Sequence, residues 1–318
     1  MDHEHAGRKI GDLRKPAGPR GVQVSVDEGP TLRRRRLGAE LKRCREAAGL
    51  TQENVSRHFE WHAAKVTRIE TARVAVTARD VRDLLDLYHV RDDTYRDALV
   101  ELARMSRERT WWSDYRDVIR PGNFVGLEAG ASSMLTWEPV IVPGLLQTER
   151  YIRALMRTGR SYDPPHEIDR RVRLRTTRQG RLTERRPLEF TAVMDESVVR
   201  RIIGGSEVMA EQLRYLIEMA QLPNVNLQIL PFGSGEHGFL GGPVALLEFQ
   251  GVDAQMNHGI SRPETTHLDV VYLEGLAGDS YEEQPAEVAR YRSEFERLSA
   301  KALDHRQTIK MIESLLVA

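Results

Sequence analysis

The sequence predicts an all-α helix-turn-helix domain of five helices followed by a larger α+β domain with a small sheet. Three observations predict it. Residues 37–70 read LGAELKRCREAAGLTQENVSRHFEWHAAKVTRIE, which patterns as an amphipathic helix, a glycine, a short helix, a turn and a third helix. Beyond residue 187, short apolar runs such as LEFTAVM and VNLQIL are interspersed with amphipathic stretches, the mark of mixed strands and helices. The charge is also divided. Residues 1–186 hold 37 Lys and Arg against 27 Asp and Glu, and residues 187–318 hold 10 against 20, so a net charge of zero conceals a basic front and an acidic back.

With 318 residues the chain has room for two domains. We divide it into a basic arm read as disordered (1–30), the helical domain (31–109) and the α+β domain (110–318). No apolar run approaches the roughly 18–20 residues that span a bilayer. The first residues, MDHEHAGRKIGDLRKPAGPR, lack the apolar core of a signal peptide. The single cysteine, Cys44, lies in a helical pattern and reads as a small packed residue in preference to a reactive thiol. These features fit a cytoplasmic protein without a membrane partner.

Residues 1–30 contain three prolines and five glycines and few large apolar side chains. Together with the run Arg33–Arg36 they read either as a basic arm along a polyanion or as a solvated tail and a charged first helical turn. Helix one is expected over 32–48, with Leu37, Leu41 and Cys44 on one face and Gly49 at its end. Thr51 caps helix two, which carries Val55 and Phe59. Asn54 stands where a capping box has Glu, so the box reads as incomplete. Helix three is expected over 62–70 with Val66 and Ile69 inward, helix four over 78–88 behind Thr77, and helix five from Asp92 towards Glu108. Residues 31–79 hold 12 basic and 5 acidic side chains, a local excess that acts on phosphates within about one Debye length, roughly 8–10 Å.

From Thr110 the composition changes, and Trp111, Trp112, Tyr115, Phe124 and Trp137 mark a domain junction or the start of a core. Helices are expected over 123–133 and 149–158, and a long basic helix over 167–183. That basic helix reads as a second nucleic-acid contact, a partner surface or a solvated face. Strands follow at 188–194, 225–230, 244–249 and 268–273, with helices at 195–203, 206–220, 285–302 and 308–316. The glycine-rich stretch 232–242 reads as a hairpin loop, with a ligand or partner loop as the alternative. It has no following helix, so it is not a phosphate-binding loop. His237, His258 and His267 match no metal-ligand spacing, and no nucleophile elbow or HExxH appears. Neither a cofactor nor a catalytic site is expected.

The residues Arg45, Gly49-Leu50-Thr51-Gln52, Val66, Arg68 and Ile69-Glu70 resemble the DNA-binding domains of the Cro/phage-repressor (xenobiotic-response-element) family. The resemblance implies an ion pair between Arg45 and Glu70, and phosphate contacts from Gln52 and Lys65. It places His62, Ala63, Ala64 and Arg68 at base-reading positions, with Thr67 and Arg73 in the same DNA-binding set. Arg68 has the chemistry for a two-point contact to guanine, worth about 1–3 kcal/mol of discrimination, or for a phosphate contact. His62 can donate to a base or a phosphate, and the two alanines can only meet thymine methyls or admit the backbone.

The longer chain is similar to actinobacterial regulators that join such a domain to a C-terminal domain of unknown function, a WhiJ-like and partly antitoxin-like class. The resemblance rests on Trp112, Glu138-Pro139, Val142 through Thr148, Tyr151, Arg170-Arg171, Arg175, Gln179, Val225, Gln228 through Pro231, Leu247-Glu248-Phe249 and Val271 through Glu274. It implies a regulator in developmental or secondary-metabolite control; we expect a repressor that acts on double-stranded DNA as a homodimer, because one helix-turn-helix reads too few base pairs. The alternative is an antitoxin-like protein that sequesters a small partner protein and regulates its own operon.

Overall fold

The computed structural model describes residues 29–119, 124–159, 164–249, 268–275 and 278–317. The arm read at 1–30 lies outside them except for its last two residues, as do His258 and His267. The helical domain comprises α1 (Pro30–Ala47), α2 (Gln52–His58), α3 (Ala64–Glu70), α4 (Ala78–Leu87) and α5 (Asp93–Met105). Thr51, Thr77 and Asp92 cap α2, α4 and α5 by accepting from Asn54 N, Asp80 N and Tyr95 N at 3.1, 3.0 and 2.9 Å. The capping box at α2 is complete, contrary to the sequence expectation. Asn54 Oδ1 accepts from Thr51 N at 2.9 Å, the same service a glutamate carboxylate would give. The apolar faces of the five helices close on one core that includes Leu37, Leu41, Val55, Val66, Ile69, Leu84, Leu85, Leu99 and Leu102. Cys44 is buried there, 3.7 Å from the Tyr95 hydroxyl, and burial raises its pKa, as suits a packing residue.

The second part contains α6 (Phe124–Gly130), β1 (Ser133–Glu138), α7 (Glu149–Gly159), α8 (Pro165–Gln179), β2 (Glu189–Asp195), α9 (Glu196–Arg200) and α10 (Ser206–Met219). It continues with β3 (Val225–Leu230), β4 (Val244–Glu248), β5 (Val270–Leu273), β6 (Ser280–Glu282), α11 (Pro285–Lys301) and α12 (His305–Val317). The strands form one sheet in the order β3-β2-β1-β4-β5-β6. β1, β2 and β3 are parallel, and β4, β5 and β6 run antiparallel to their neighbours. Side chains alternate between two covered faces. Phe190, Ala192, Met194, Ala245, Leu247 and Tyr272 meet the layer that includes α10 and α12. Val193, Val244, Leu246 and Val271 meet Val288, Phe295 and Leu298 of α11. Burial on both faces is why these strands read as continuous apolar runs.

The sheet has six described strands where four were expected. β1 was missed, although it is central, because its SMLTWE sequence follows a helical pattern and runs into Pro139. The glycine-rich loop is not a hairpin. β3 and β4 are separated by β2 and β1, so residues 231–243 cross the end of the sheet. His237 in this loop packs edge-on to Trp137 with ring centres 4.9 Å apart, and Trp137 Nε1 donates to Phe239 O at 3.1 Å.

Candidate nucleic-acid interface

Glu70 holds the helix-turn-helix together. Arg45 on α1 donates from Nε to Glu70 Oε1 at 2.7 Å and from Nη2 to Oε2 at 3.1 Å. Gln52 Nε2 at the start of α2 donates to the same Oε2 at 2.7 Å, and Arg45 Nη1 donates to Leu50 O at 2.7 Å. One carboxylate therefore ties α1, α2 and the end of α3. The Glu70 hydrogen bonds raise the Arg45 pKa, while burial, then the Glu70 charge, pushes the Tyr88 phenol up. Gly38 permits the close approach of α1 to α3, since a Cβ there would lie 2.6 Å from Glu70 O and 2.7 Å from Ile69 O. The turn between α2 and α3 places Glu60 at φ +53°, with Trp61 N donating to Ser56 O at 2.8 Å. That is a left-handed helix end built without glycine.

With its inner face fixed by Val66, Ile69 and Glu70, α3 leaves Ala64, Thr67 and Arg68 exposed; it begins two residues later than the expected 62–70, so His62 and Ala63 lie exposed in the turn before it and Arg73 just beyond it. Arg68 and Arg73 have no side-chain partner among the described residues, so both guanidinium groups are available. His62 Nδ1 accepts from Ala64 N at 3.4 Å and leaves Nε2 for an outside partner. Thr67 donates to Gln52 Oε1 at 2.7 Å. Gln52 is thus a bridge between Thr67 and Glu70, with one amide proton left over. Lys65 Nζ lies 3.4 Å from the centre of the Trp61 ring and 3.9 Å from Asp80 Oδ2, so its ammonium is steered by an aromatic face and a carboxylate. Sequence reasoning missed Trp61 and Asp80 because the positions that hold Lys65 in place carry no motif of their own.

A family profile described as a domain of unknown function (DUF5753) matches residues 122–314, more than half of the chain. The chain belongs to this family. A helix-turn-helix domain profile matches residues 36–99, the region that holds α2 and α3. The protein is therefore a helix-turn-helix DNA-binding regulator with a C-terminal DUF5753 domain. Comparisons with curated proteins and with solved structures give no match.

Two basic features of the sequence have structural employment inside this protein. The run Arg33–Arg36 lies in the first turns of α1, as the reading of a charged first helical turn had it, but Arg33 and Arg35 are buried there and the run is not an arm. Arg33 pairs with Glu108 at 2.8 Å, and Arg34 donates to Ser106 O at 3.1 Å. Arg35 reaches the DUF5753 domain, where it pairs with Glu283 at 2.7 Å, donates to Leu268 O at 3.0 Å and lies over the Phe249 ring. Leu32 joins the core of the sheet domain. In the basic helix α8, arginines tie neighbouring segments together. Arg170 holds Asp117 at 2.6 Å, Arg171 donates to Val118 O at 2.8 Å, Arg178 grips Glu128 through two 2.7 Å bonds, and Arg181 just beyond α8 donates to Ala131 O at 2.7 Å. None of the three outward readings of that helix describes these side chains.

Proposed function

We propose that the protein is a sequence-specific transcriptional regulator, a repressor in developmental or secondary-metabolite control, that binds double-stranded DNA as a homodimer with α3 in the major groove. The observation that carries this reading is Arg68, an exposed guanidinium without a partner among the described residues, on a helix whose other face is fixed by the Arg45–Glu70 pair. Two half-sites about 34–36 Å apart suit a dimer, because a single helix-turn-helix reads few base pairs. Ala63 and Ala64 supply no hydrogen-bond donors, so specificity leans on Arg68, DNA shape and half-site spacing. The DUF5753 domain serves dimerisation and effector or partner binding. This protein of helix-turn-helix and DUF5753 domains is read as cytoplasmic, and no described helix is long and apolar enough to cross a membrane.

The test starts from the bound sites mapped across the genome. Arg68→Ala is expected to abolish preference for the cognate site over random DNA, and Lys65→Ala to weaken binding to both about equally. Equal loss on both DNAs for Arg68→Ala overturns the base-reading role.

The antitoxin-like reading is favoured by a different observation. Val140, Ile202, Phe232 and Leu240 are exposed, and each lies in chain that follows the C-terminal end of a parallel strand, β1, β2 or β3. A small partner protein seated there would copurify in fixed ratio with the full chain, and polar substitutions at Phe232 and Leu240 would release it.

A further inference from the structure

The DUF5753 domain encloses a cavity of about 250 Å³ between α8, the C-terminal end of β1 and the end of β5. Glu138 from β1, Arg175 from α8 and Glu274 after β5 line it, with Ile141, Leu145 and Met156 among its apolar walls. Glu138 and Arg175 both line the cavity and are partly buried. Neither is ion-paired among the described residues. Glu138 accepts only a long 3.4 Å bond from Thr136, and Arg175 donates at 2.7 Å to the neutral amide oxygen of Gln147. That amide is itself held in place by a 2.6 Å bond from its Nε2 to Val142 O. The contrast with the adjacent Arg178–Glu128 pair is direct, since those two groups satisfy each other with two 2.7 Å bonds.

Charged groups enclosed by protein are ordinarily paired, because desolvation without a partner costs several kcal/mol. A carboxyl and a guanidinium that line one cavity without pairing are fixed in position for something else: Glu138 stays largely protonated while the cavity is empty, and a cation arriving beside it ionises it. A ligand that satisfies both must offer a donor-rich cation to one end and a carboxylate to the other. Glu274 adds a second acidic group to the cation's end. The volume falls just below the roughly 300–1,000 Å³ of typical ligand pockets, so the occupant is a small molecule and not a nucleotide or a peptide.

We propose that this cavity binds a small zwitterion of the amino-acid class, its ammonium at Glu138 and Glu274, its carboxylate on Arg175, and an apolar side chain against Ile141, Leu145 and Met156. The inference rests on the reading of the DUF5753 domain as an effector-binding domain and names that effector's chemistry.

The experiment uses the full chain. Its melting temperature is measured with each standard amino acid, and with phenethylamine and 3-phenylpropionate as probes that carry one charged group each. At least one apolar amino acid is expected to raise the melting temperature in a concentration-dependent way, and the single-charge probes to bind at least tenfold more weakly. Glu138→Gln and Arg175→Met are each expected to weaken the response at least tenfold. No shift with any amino acid, or a single-charge probe as effective as the zwitterion, overturns the proposal. Either result is read on the wild-type protein and so does not depend on the variants folding. DNA affinity measured with and without the active amino acid separates the two readings: a melting shift with unchanged DNA affinity leaves the cavity assignment standing and removes the effector role.

Discussion

Replacing Glu70 by alanine tests the most connected group in the helical domain. The carboxylate takes two bonds from Arg45 and one from Gln52, and the Arg45 and Glu70 side chains are 8% and 3% exposed. Glu70→Ala leaves the buried Arg45 guanidinium with Leu50 O and a long 3.4 Å bond to the exposed Glu46 carboxylate in place of the buried pair. Breaking a buried pair by removing one partner costs about 3–5 kcal/mol. The assay is native-state hydrogen exchange over residues 52–70 in the intact chain, which reports opening of this domain separately from the sheet. At about 1.4 kcal/mol per factor of ten, exchange should quicken at least about 100-fold. The double variant Arg45→Met, Glu70→Leu removes both charges and should recover most of the loss, since a buried ion pair and a well-packed apolar pair are close in stability. Less than tenfold acceleration in Glu70→Ala, or a double variant that exchanges as fast as the single one, would refute the assignment of the loss to an orphaned charge.

Gly38→Ala forces a Cβ to within 2.6 Å of a backbone oxygen of α3, so a loss of about 1–3 kcal/mol and a lower urea midpoint are expected. Arg35→Ala removes the Glu283 and Leu268 contacts, and should speed exchange of the amides in β5 and β6 while leaving affinity for random DNA unchanged. Burial, reinforced by the Glu274 charge, pushes the Glu138 carboxyl up to about 8. The remaining charged and titratable groups on the cavity walls are Arg171, Arg175, Asp279, Tyr272, Tyr281 and the Glu128–Arg178 pair, and Tyr151 also interacts with Glu138. Because the folded pKa lies above the unfolded value, the protonated form favours folding and that contribution is lost as pH rises towards and through 8. The ligand-free melting temperature should therefore fall from about pH 5 to about pH 8 and level off above it, and the fall should flatten in Glu138→Gln.

The helical domain was legible because its signals are local. Caps at Thr51, Thr77 and Asp92, the apolar spacing of Leu37, Leu41 and Cys44, and Gly49 at the end of α1 each act within a few residues. The turns at Glu60, Ala72 and His89 were harder to place, because those residues adopt positive φ without being glycine. The sheet was legible in part. β2, β3, β4 and β5 are apolar on both faces and stand out, while β1 and the three-residue β6 are recognisable only from their pairing with distant segments. The arginines misled for one physical reason. A run of positive charge in sequence does not specify whether its partners are phosphates outside or carboxylates and carbonyls that the fold brings in from many residues away. For Arg33, Arg35 and Arg178 those partners lie 75, 248 and 50 residues off. The cavity was illegible for the same reason, since Glu138 and Arg175 meet only after the parallel sheet has formed.

The position of α1 gives the division into two parts a functional edge. Its later turns carry Leu37, Leu41 and Arg45 into the helix-turn-helix, while its first turns place Leu32 in the sheet core and Arg35 on Glu283. The helix that orients α3 is thus rooted in the DUF5753 domain. α6 contributes Phe124 and Glu128 to the cavity wall and also lies against α1, where a Cβ on Gly130 would be 3.6 Å from that of Leu32. A ligand changes DNA affinity only to the extent that it binds two arrangements of such a contact unequally. In the proposed homodimer a small tilt of α1 would alter the separation of the two α3 helices, and the half-site spacing would convert that tilt into a difference in affinity without any change in the residues proposed to read bases.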